Sequence, residues 1–439
     1  MKLQYVKEIS VKKEVDVFIA GGGPAGITAA VAAARHGMSV FLVEMFGSFG
    51  GSAAHALVPA FMQFTDGINF LAGGIGKEIR DAVKSECPLD ARQYCPDNIP
   101  VEVLKLCCDN LAVKAGVDFR FFTSVIDVEH NNGVITHAIC TGKGETYAVK
   151  ATIFIDCTGD GDLCAQAGAS FYKGDENADG EMMAATLCGL WAGIDWSNVK
   201  RPDSRRLDDA FADQVFSNED RHLPGMWPIN KGVGGSNAGH VYDVDGTRAD
   251  SLTRAMVSGR KQLQEYRRYY RNYLSGFENA ELVISGTQIG VRETRRIVGD
   301  YQLNLNDFLS RAVFEDEIGR YAYPIDIHAG KNTQASYDAY EKTFADLRYK
   351  PGDSYGIPYR SLLVQGFDNL LTAGRCISTD RSMQASVRVM PGCFITGQAA
   401  GTAAAVAVND GKDVRSFPVS KLQEALLKLG AYLPNYLHK

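Results

Sequence analysis

The chain has 439 residues, enough for two domains or one large discontinuous one, and 45% hydrophobic with 22% charged residues is ordinary globular composition. A formal net charge of −6 argues against general affinity for nucleic acid or an anionic membrane, and no stretch reaches membrane-spanning length. Ten cysteines without a CxxC pair or a Cys/His metal spacing read as reduced thiols of a cytoplasmic protein.

In chain order, the first residues carry no apolar leader core. Val15 to Ala20 is an apolar run that predicts a buried parallel strand. It feeds Gly21-Gly22-Gly23-Pro24-Ala25-Gly26 and an alanine-rich helix that stops at Gly37. A second apolar run, Val40 to Val43, ends in Glu44. If a dinucleotide sits here, each residue type has a task. Gly21 permits the tight turn, Gly23 lets backbone N–H groups approach a pyrophosphate, and Gly26 lets the helix lie close on the strands. The helix N-terminus offers unpaired N–H groups and a positive dipole end. Glu44, 18 residues past Gly26, can accept both hydroxyls of an adenosine ribose. A glycine cluster alone often just makes a turn, but strand, helix and acid here agree on a nucleotide cofactor.

The small-residue run from Phe46 to His55 has no bulk for a core and predicts a loop against something flat. Residues 67–86 read as a helix with Ile75, Ile79 and Val83 on one face, and Val101 to Ala115 as another ending at Gly116. Strands follow at Asp118–Phe122, Val125–His130, Val134–Cys140 and Thr146–Lys150, with a hairpin turn at Asn131-Asn132-Gly133. Ala151–Ile155 then leads into the Gly/Asp-rich Asp156–Asp162. A strand, a nucleotide loop, an antiparallel meander and a return to the parallel sheet describe a flavin-type α/β fold.

From about residue 166 the texture changes: all three tryptophans, a glycine-rich 232–239 and a helix near 252–275 fall in this stretch. Within it, Arg267-Arg268-Tyr269-Tyr270-Arg271 reads as a solvated helix face with tyrosines turned inward rather than a nucleic-acid patch. Residues 366–408 look like sheet and helix again, with Thr396-Gly397-Gln398 opening an alanine-rich helix that Gly397 and Gly401 let pack closely. The expected organisation is a nucleotide domain over 1–165, an inserted α+β substrate or cap domain over 166–355, and the nucleotide domain's second part with C-terminal helices over 356–439.

Four further motifs carry a resemblance: Ile155–Asp162, Val291–Tyr301, Ile325–His328, and Asn369–Ser378 with Arg388–Pro391 and Thr396–Gly401. Together with the glycine turn they resemble the FAD-dependent oxidoreductases related to the fumarate reductase/succinate dehydrogenase flavoproteins. The resemblance implies FAD in a Rossmann-like domain. Gly50-Gly51-Ser52 would lie along the pyrophosphate and ring, Val125 would meet the adenine through its backbone, and Thr158 and Gly159 would close over the nucleotide half. Gly374 and Arg375 would lie near the ribityl chain. The helix opening at Thr396-Gly397-Gln398 would aim its N-terminus at the ring edge that becomes negative on reduction.

Four residues are candidates for the chemistry. Arg292 is placed toward a substrate, since related flavoenzymes clamp carboxylates with arginines, and Arg388 either clamps substrate or hydrogen-bonds the flavin. Arg295 and Arg296, beside Glu293, read instead as an internal ion-pair network. His328, at the expected end of a strand with Asp326 on its face, is either structural or a proton carrier touching substrate or flavin. His55 lies in the loop expected near the ring; its spacing from Gly50-Gly51 does not match relatives with a histidine-linked flavin, so FAD is expected to be noncovalent. Cys376 reads as packing, and Asp160 with Asp162 lacks a calcium-loop spacing, so no metal is assigned.

These readings point to an enzyme in which FAD exchanges a hydride with a small polar or anionic substrate, by C=C reduction or CH–CH/CH–OH oxidation. The chain lacks iron–sulfur cysteines and a second dinucleotide motif, so an external nicotinamide, a quinone, a partner protein, oxygen or the substrate itself would close the electron cycle. The alternative is an electron-transfer flavoprotein subunit that passes electrons to a partner.

Overall fold

The computed structural model describes residues 3–86, 97–176, 178, 180–200, 204–218, 220, 225–333, 335, 336, 338, 343, 344 and 346–436; Cys87 and Cys95 lie outside them. The opening stretch forms β1 (Val11–Ala20), α1 (Pro24–Arg35) and β2 (Val40–Val43), with β1 and β2 parallel and Val17 opposite Val40. Val17–Ala20 and Val40–Val43 are fully buried, which is why they read as unbroken apolar runs rather than as alternation.

The small-residue loop ends in a single helical turn, α2 (Ser52–His55). The next helix, α3 (Ile75–Glu86), begins later than residue 67, and buries Ile75, Ile79 and Val83 as its periodicity requires. Asp66 accounts for the late start. Its Oδ1 accepts the N–H groups of Ile68 at 2.8 Å and Asn69 at 2.6 Å, which holds a turn in place of a helix. α4 (Val101–Ala115) stops at Gly116, which takes the left-handed conformation at φ 76°.

Then come β3 (Asp118–Arg120), β4 (Thr123–Asn131), β5 (Val134–Gly142) and β6 (Glu145–Asp156). The two strands expected at 146–150 and 151–155 are one. β6 pairs antiparallel with β5 through its first half and parallel with β1 along its length. The sheet order is β3-β2-β1-β6-β5-β4.

Past α5 (Asp162–Gln166) and β7 (Phe171–Lys173) the chain builds β8 (Gly189–Ala192), α6 (Ser204–Ala212), β9 (Gly225–Asn230), β10 (Val233–Asn237), α7 (Ala249–Tyr273) and β11 (Glu281–Ser285). The strands form an antiparallel sheet in the order β11-β8-β10-β9. Trp191 is buried there, edge-on to Tyr270 at 5.1 Å. On α7, Tyr266, Tyr269 and Tyr270 point inward while Arg267 and Arg271 pair with Glu281, so the basic run is a helix's outer face.

β12 (Arg295–Ile297) pairs with β7, and beyond α8 (Leu305–Ser310), β13 (Glu317–Tyr321) pairs with β14 (Tyr355–Pro358). β15 (Leu370–Thr372) then rejoins the first sheet as the seventh strand, parallel to the last residues of β6, with Leu370 opposite Phe154. The chain closes with α9 (Arg381–Val387), α10 (Met390–Asp410) and α11 (Val419–Lys428).

The alanine-rich helix therefore opens at Met390, not at Thr396. Pro391 sits in its first turn, where a missing N–H costs nothing, and the helix runs 21 residues. Among the described residues, no helix is long and apolar enough to cross a membrane, and no group of His, Cys, Asp and Glu could hold a metal ion.

Candidate active site

A cavity of about 560 Å³ opens at the C-terminal end of β1. Its wall gathers Gly21, Gly23, Pro24, Ala25, Glu44, Gly51, Ser52, Val125, Thr158, Gly159, Gly374 and Arg375 together with His55, Arg292, Arg388 and His328. Residues from both ends of the chain and from the middle thus share one space.

Its first end is built from the β1–α1 turn. Gly21 has φ +94°, and a Cβ there would come within 2.6 Å of the Cys157 carbonyl oxygen. Gly26 lies behind the wall, where a Cβ would stand 1.8 Å from the Gly21 carbonyl oxygen, so it sets how closely α1 approaches the turn. At Gly23 the missing Cβ would meet only the Cα of Gly51, at 3.6 Å. That open space faces a helix N-terminus capped by no side chain.

Glu44 is buried. Its Oε2 accepts the Gly22 N–H at 2.7 Å and its Oε1 the Phe46 N–H at 2.9 Å, which leaves each oxygen a further acceptor direction. An open cradle at an uncapped helix end and a fixed buried carboxylate fit the pyrophosphate and ribose of a dinucleotide. Gly50 does not line the cavity; its N–H donates to the Gly22 carbonyl at 3.0 Å and ties the next loop to the turn.

Asp156 organises the floor. It is fully buried, which raises its carboxyl above the ordinary value. It accepts the Thr158 hydroxyl at 2.7 Å and the N–H groups of Thr158 at 3.0 Å and Cys164 at 2.8 Å. The Thr158 hydroxyl also accepts the Asp162 N–H at 3.0 Å, so this side chain shapes its own loop. Arg375 donates to the Val291 carbonyl at 2.7 Å and to Asp160 at 2.5 Å.

Thr396, Gly397 and Gln398 do not line the cavity. Starting the helix at Met390 carries them into its buried interior. Thr396 accepts the Gly374 N–H at 3.0 Å, Gly397 packs on α1, and Gln398 accepts the Ile75 N–H at 2.7 Å. The uncapped helix start itself, through Val389, Met390 and Cys393, is what reaches the wall. Cys376 is buried away from it, its thiol pushed far up by burial.

The other end is charged. Arg292 is buried and donates to the Ala184 carbonyl at 2.6 Å; burial and the neighbouring Arg388 bring it down to about 10, so it stays a cation at neutral pH. Arg388 donates to Asp326, at 2.9 Å to its carbonyl and 3.2 Å to its carboxylate. Burial would raise the Asp326 carboxyl, but His328, Arg388 and Arg292 outweigh it and keep the group ionised. His328 is neutral, because burial and the Arg292 charge lower it more than Asp326 raises it. The cavity wall at this end carries two guanidinium groups and the Asp326 carboxylate, with the Asp220 carboxylate behind His240; the guanidinium groups suit an anionic or polar ligand.

Residues 325–328 form no strand, although Ile325-Asp326-Ile327-His328 alternates like one. The segment follows β13 irregularly along the cavity. Arg295 and Arg296 are ion-pair residues, as their setting suggested: Arg295 pairs with Asp162 at 2.8 Å, Arg296 with Glu176 at 2.9 Å and Glu293 at 3.5 Å. His55 lies between these features, stacked on Phe46 at 4.3 Å with its Nε2 3.0 Å from the Ser48 carbonyl oxygen; burial lowers its basicity. Sequence reasoning missed His240, which meets His328 from far along the chain, and Asp220, which meets His240 on its other side.

The profile of the family described as FAD dependent oxidoreductase matches residues 16–426. A thiamine thiazole synthase of Methanothermobacter thermautotrophicus is 30% identical over 165 residues, 35% of this chain and 60% of that relative's length. A p-nitrophenol 4-monooxygenase of Pseudomonas putida superposes with a TM-score of 0.49 at 10% identity, over 97% of this chain and 92% of that one. A geranylgeranyl bacteriochlorophyll reductase-like protein of Thermoplasma acidophilum gives 0.44 at 13% identity, over 95% and 84%.

Proposed function

The chain belongs to the FAD-dependent oxidoreductase family, and on that premise we propose that it exchanges a hydride with a small polar or anionic organic substrate. The bound flavin supplies the hydride acceptor or donor for C=C reduction or for CH–CH or CH–OH oxidation. One observation carries the reading: the cradle at Gly23 and Glu44 and the charged group at Arg292, Arg388, Asp326 and His328 line the same cavity.

Gly21, Gly23, Pro24, Ala25 and Glu44 hold the nucleotide half, with Val125, Thr158 and Gly159 beside it and Gly51, Ser52, Gly374 and Arg375 along the chain toward the ring. The uncapped start of α10 at Met390 presents a positive helix end, which favours negative charge developing against it. Arg292 and Arg388 orient the substrate. His328, neutral and polarised by its neighbours, takes or returns the accompanying proton.

His55 keeps its Nε2 engaged with Ser48, which favours noncovalent FAD. Substrate-side residues Arg292 and His328 come from the stretch 166–355 that we regard as the inserted lobe. A nicotinamide, quinone or protein closes the electron cycle. The motifs at Ile155–Asp162 and Val291–Tyr301 favour a place near the fumarate reductase/succinate dehydrogenase flavoproteins.

The test is anaerobic mixing of the yellow protein with enoates, hydroxy acids and sugars while flavin absorbance is followed, then reoxidation of the reduced protein by the same panel. A member that bleaches or restores the flavin supports the reading and fixes the direction. Folded protein that refuses FAD removes it.

A further inference from the structure

His240 lies behind His328 and does not line the cavity. Its side chain is 1% exposed, and its Nε2 lies 2.9 Å from Nδ1 of His328. On its other side Nδ1 lies 3.3 Å from Asp220 Oδ1, and Asp220 Oδ2 accepts the His240 backbone N–H at 2.8 Å, which fixes ring and backbone together. Beyond His328, Nε2 stands 3.4 Å from Asp326 Oδ1. The groups run Asp220–His240–His328–Asp326, with three nitrogen-to-partner gaps.

Protons can be counted along this run. A neutral imidazole carries one N–H, so two neutral rings bridge two of the three gaps. The third is bridged when the pair holds one further proton. We propose that His240 is a positioning residue that shares a proton with His328, so that the two rings act as one base whose charged form is held between Asp220 and Asp326. This rests on the proposed function, in which His328 handles the substrate's proton.

When the His240 Nδ1–H faces Asp220 and the His328 Nδ1–H donates to His240 Nε2, His328 Nε2 beside Asp326 is the one ring nitrogen with neither a proton nor a donor and is the basic one. In the oxidising direction the substrate O–H bond breaks, its electron pair stays on oxygen, and an N–H bond forms at His328 Nε2. No electron enters the pair, and the reverse reaction returns the same proton. The charged and titratable groups facing the pair are Asp220 and Tyr242 beside His240 and Asp326 and the cation Arg292 beside His328, with Arg388 and Tyr323 next to Asp326. Burial lowers both histidines and Arg292 adds to it, against the pull of Asp220 and Asp326, so the pair rests neutral.

The experiment is NMR of the FAD-loaded protein labelled with ¹⁵N in its histidines. In the wild type we expect ¹⁵N–¹⁵N coupling across the His240–His328 hydrogen bond and a single protonation step sensed by both rings. In His240→Gln the coupling disappears and the His328 midpoint moves by about one pH unit or more. Flavin absorbance reports whether the variant is folded. If it is not, the wild-type coupling decides alone. Absence of coupling throughout about pH 5–9, or a His328 titration unchanged in His240→Gln, overturns the proposal. Because the readout needs no substrate, failure of the bleaching panel leaves this result standing on its own.

Discussion

A Cβ placed on Gly397 would stand 2.1 Å from the carbonyl oxygen of Ala25, so α10 and α1 touch backbone to backbone. Neither partner has a flexible tip that could move aside. Gly397→Ala should therefore cost about 1–3 kcal/mol of stability, read as a lower denaturant midpoint with an unchanged slope. FAD affinity should weaken too, since Ala25 belongs to the wall of the cavity. An unshifted midpoint would show that the two helices are not in register as described.

Glu44 fixes two backbone N–H groups and is placed to receive the ribose. Glu44→Gln keeps the shape but turns one oxygen into a donor, which must face the N–H of Gly22 or Phe46. Losing a hydrogen bond to a charged group costs about 1.5–3 kcal/mol, so FAD should bind about 10- to 100-fold more weakly. Titration calorimetry of the apoprotein measures it. Equal affinity would place the ribose elsewhere.

Arg292→Ala and His328→Ala should both keep FAD and its visible spectrum, because neither residue lies at the dinucleotide end. Both should lose the half-reaction with any compound that bleaches the wild type, as followed by stopped-flow absorbance. Wild-type rates in both variants would take them out of the reacting group.

Stability should fall as pH drops below about 6.5, the ordinary histidine value. His36, His55, His240 and His328 are all lowered by burial, so the unfolded chain binds more protons there and acid favours it. Asp156, Glu317 and Asp380 are raised by burial and act in the opposite sense. Comparing wild type with His240→Gln reads the contribution of the paired rings: the variant's stability should change less steeply between about pH 5 and 7. Identical slopes in denaturant titrations would contradict a buried neutral His240.

Much of the nucleotide end was legible because its signals are local. β2 and α4 fall where their apolar runs and the Gly116 stop place them. Where the reading failed, the deciding contact was remote or ambiguous. Thr396-Gly397-Gln398 reads as a helix start because the alanine-rich run begins right after it, yet Pro391 in a first turn already opens the helix at Met390. The alternation at Ile325–His328 imitates a strand, but no neighbouring strand pairs with it. His240 carries no local mark at all: it is 88 residues from His328, and only the fold joins them.

The placement of β15 has a consequence for synthesis. Phe154–Asp156 pair with β1 on one side and receive their partner on the other side from Leu370–Thr372, and α10, which covers α1, comes later still. A ribosome must therefore emit more than two hundred residues between one edge of this sheet and the strand that closes it. Until then the nascent chain carries an apolar ribbon with open hydrogen-bonding groups, a surface on which unfinished copies can pair with each other. Chains cut short before residue 370 should accumulate as aggregates rather than as smaller soluble flavoproteins.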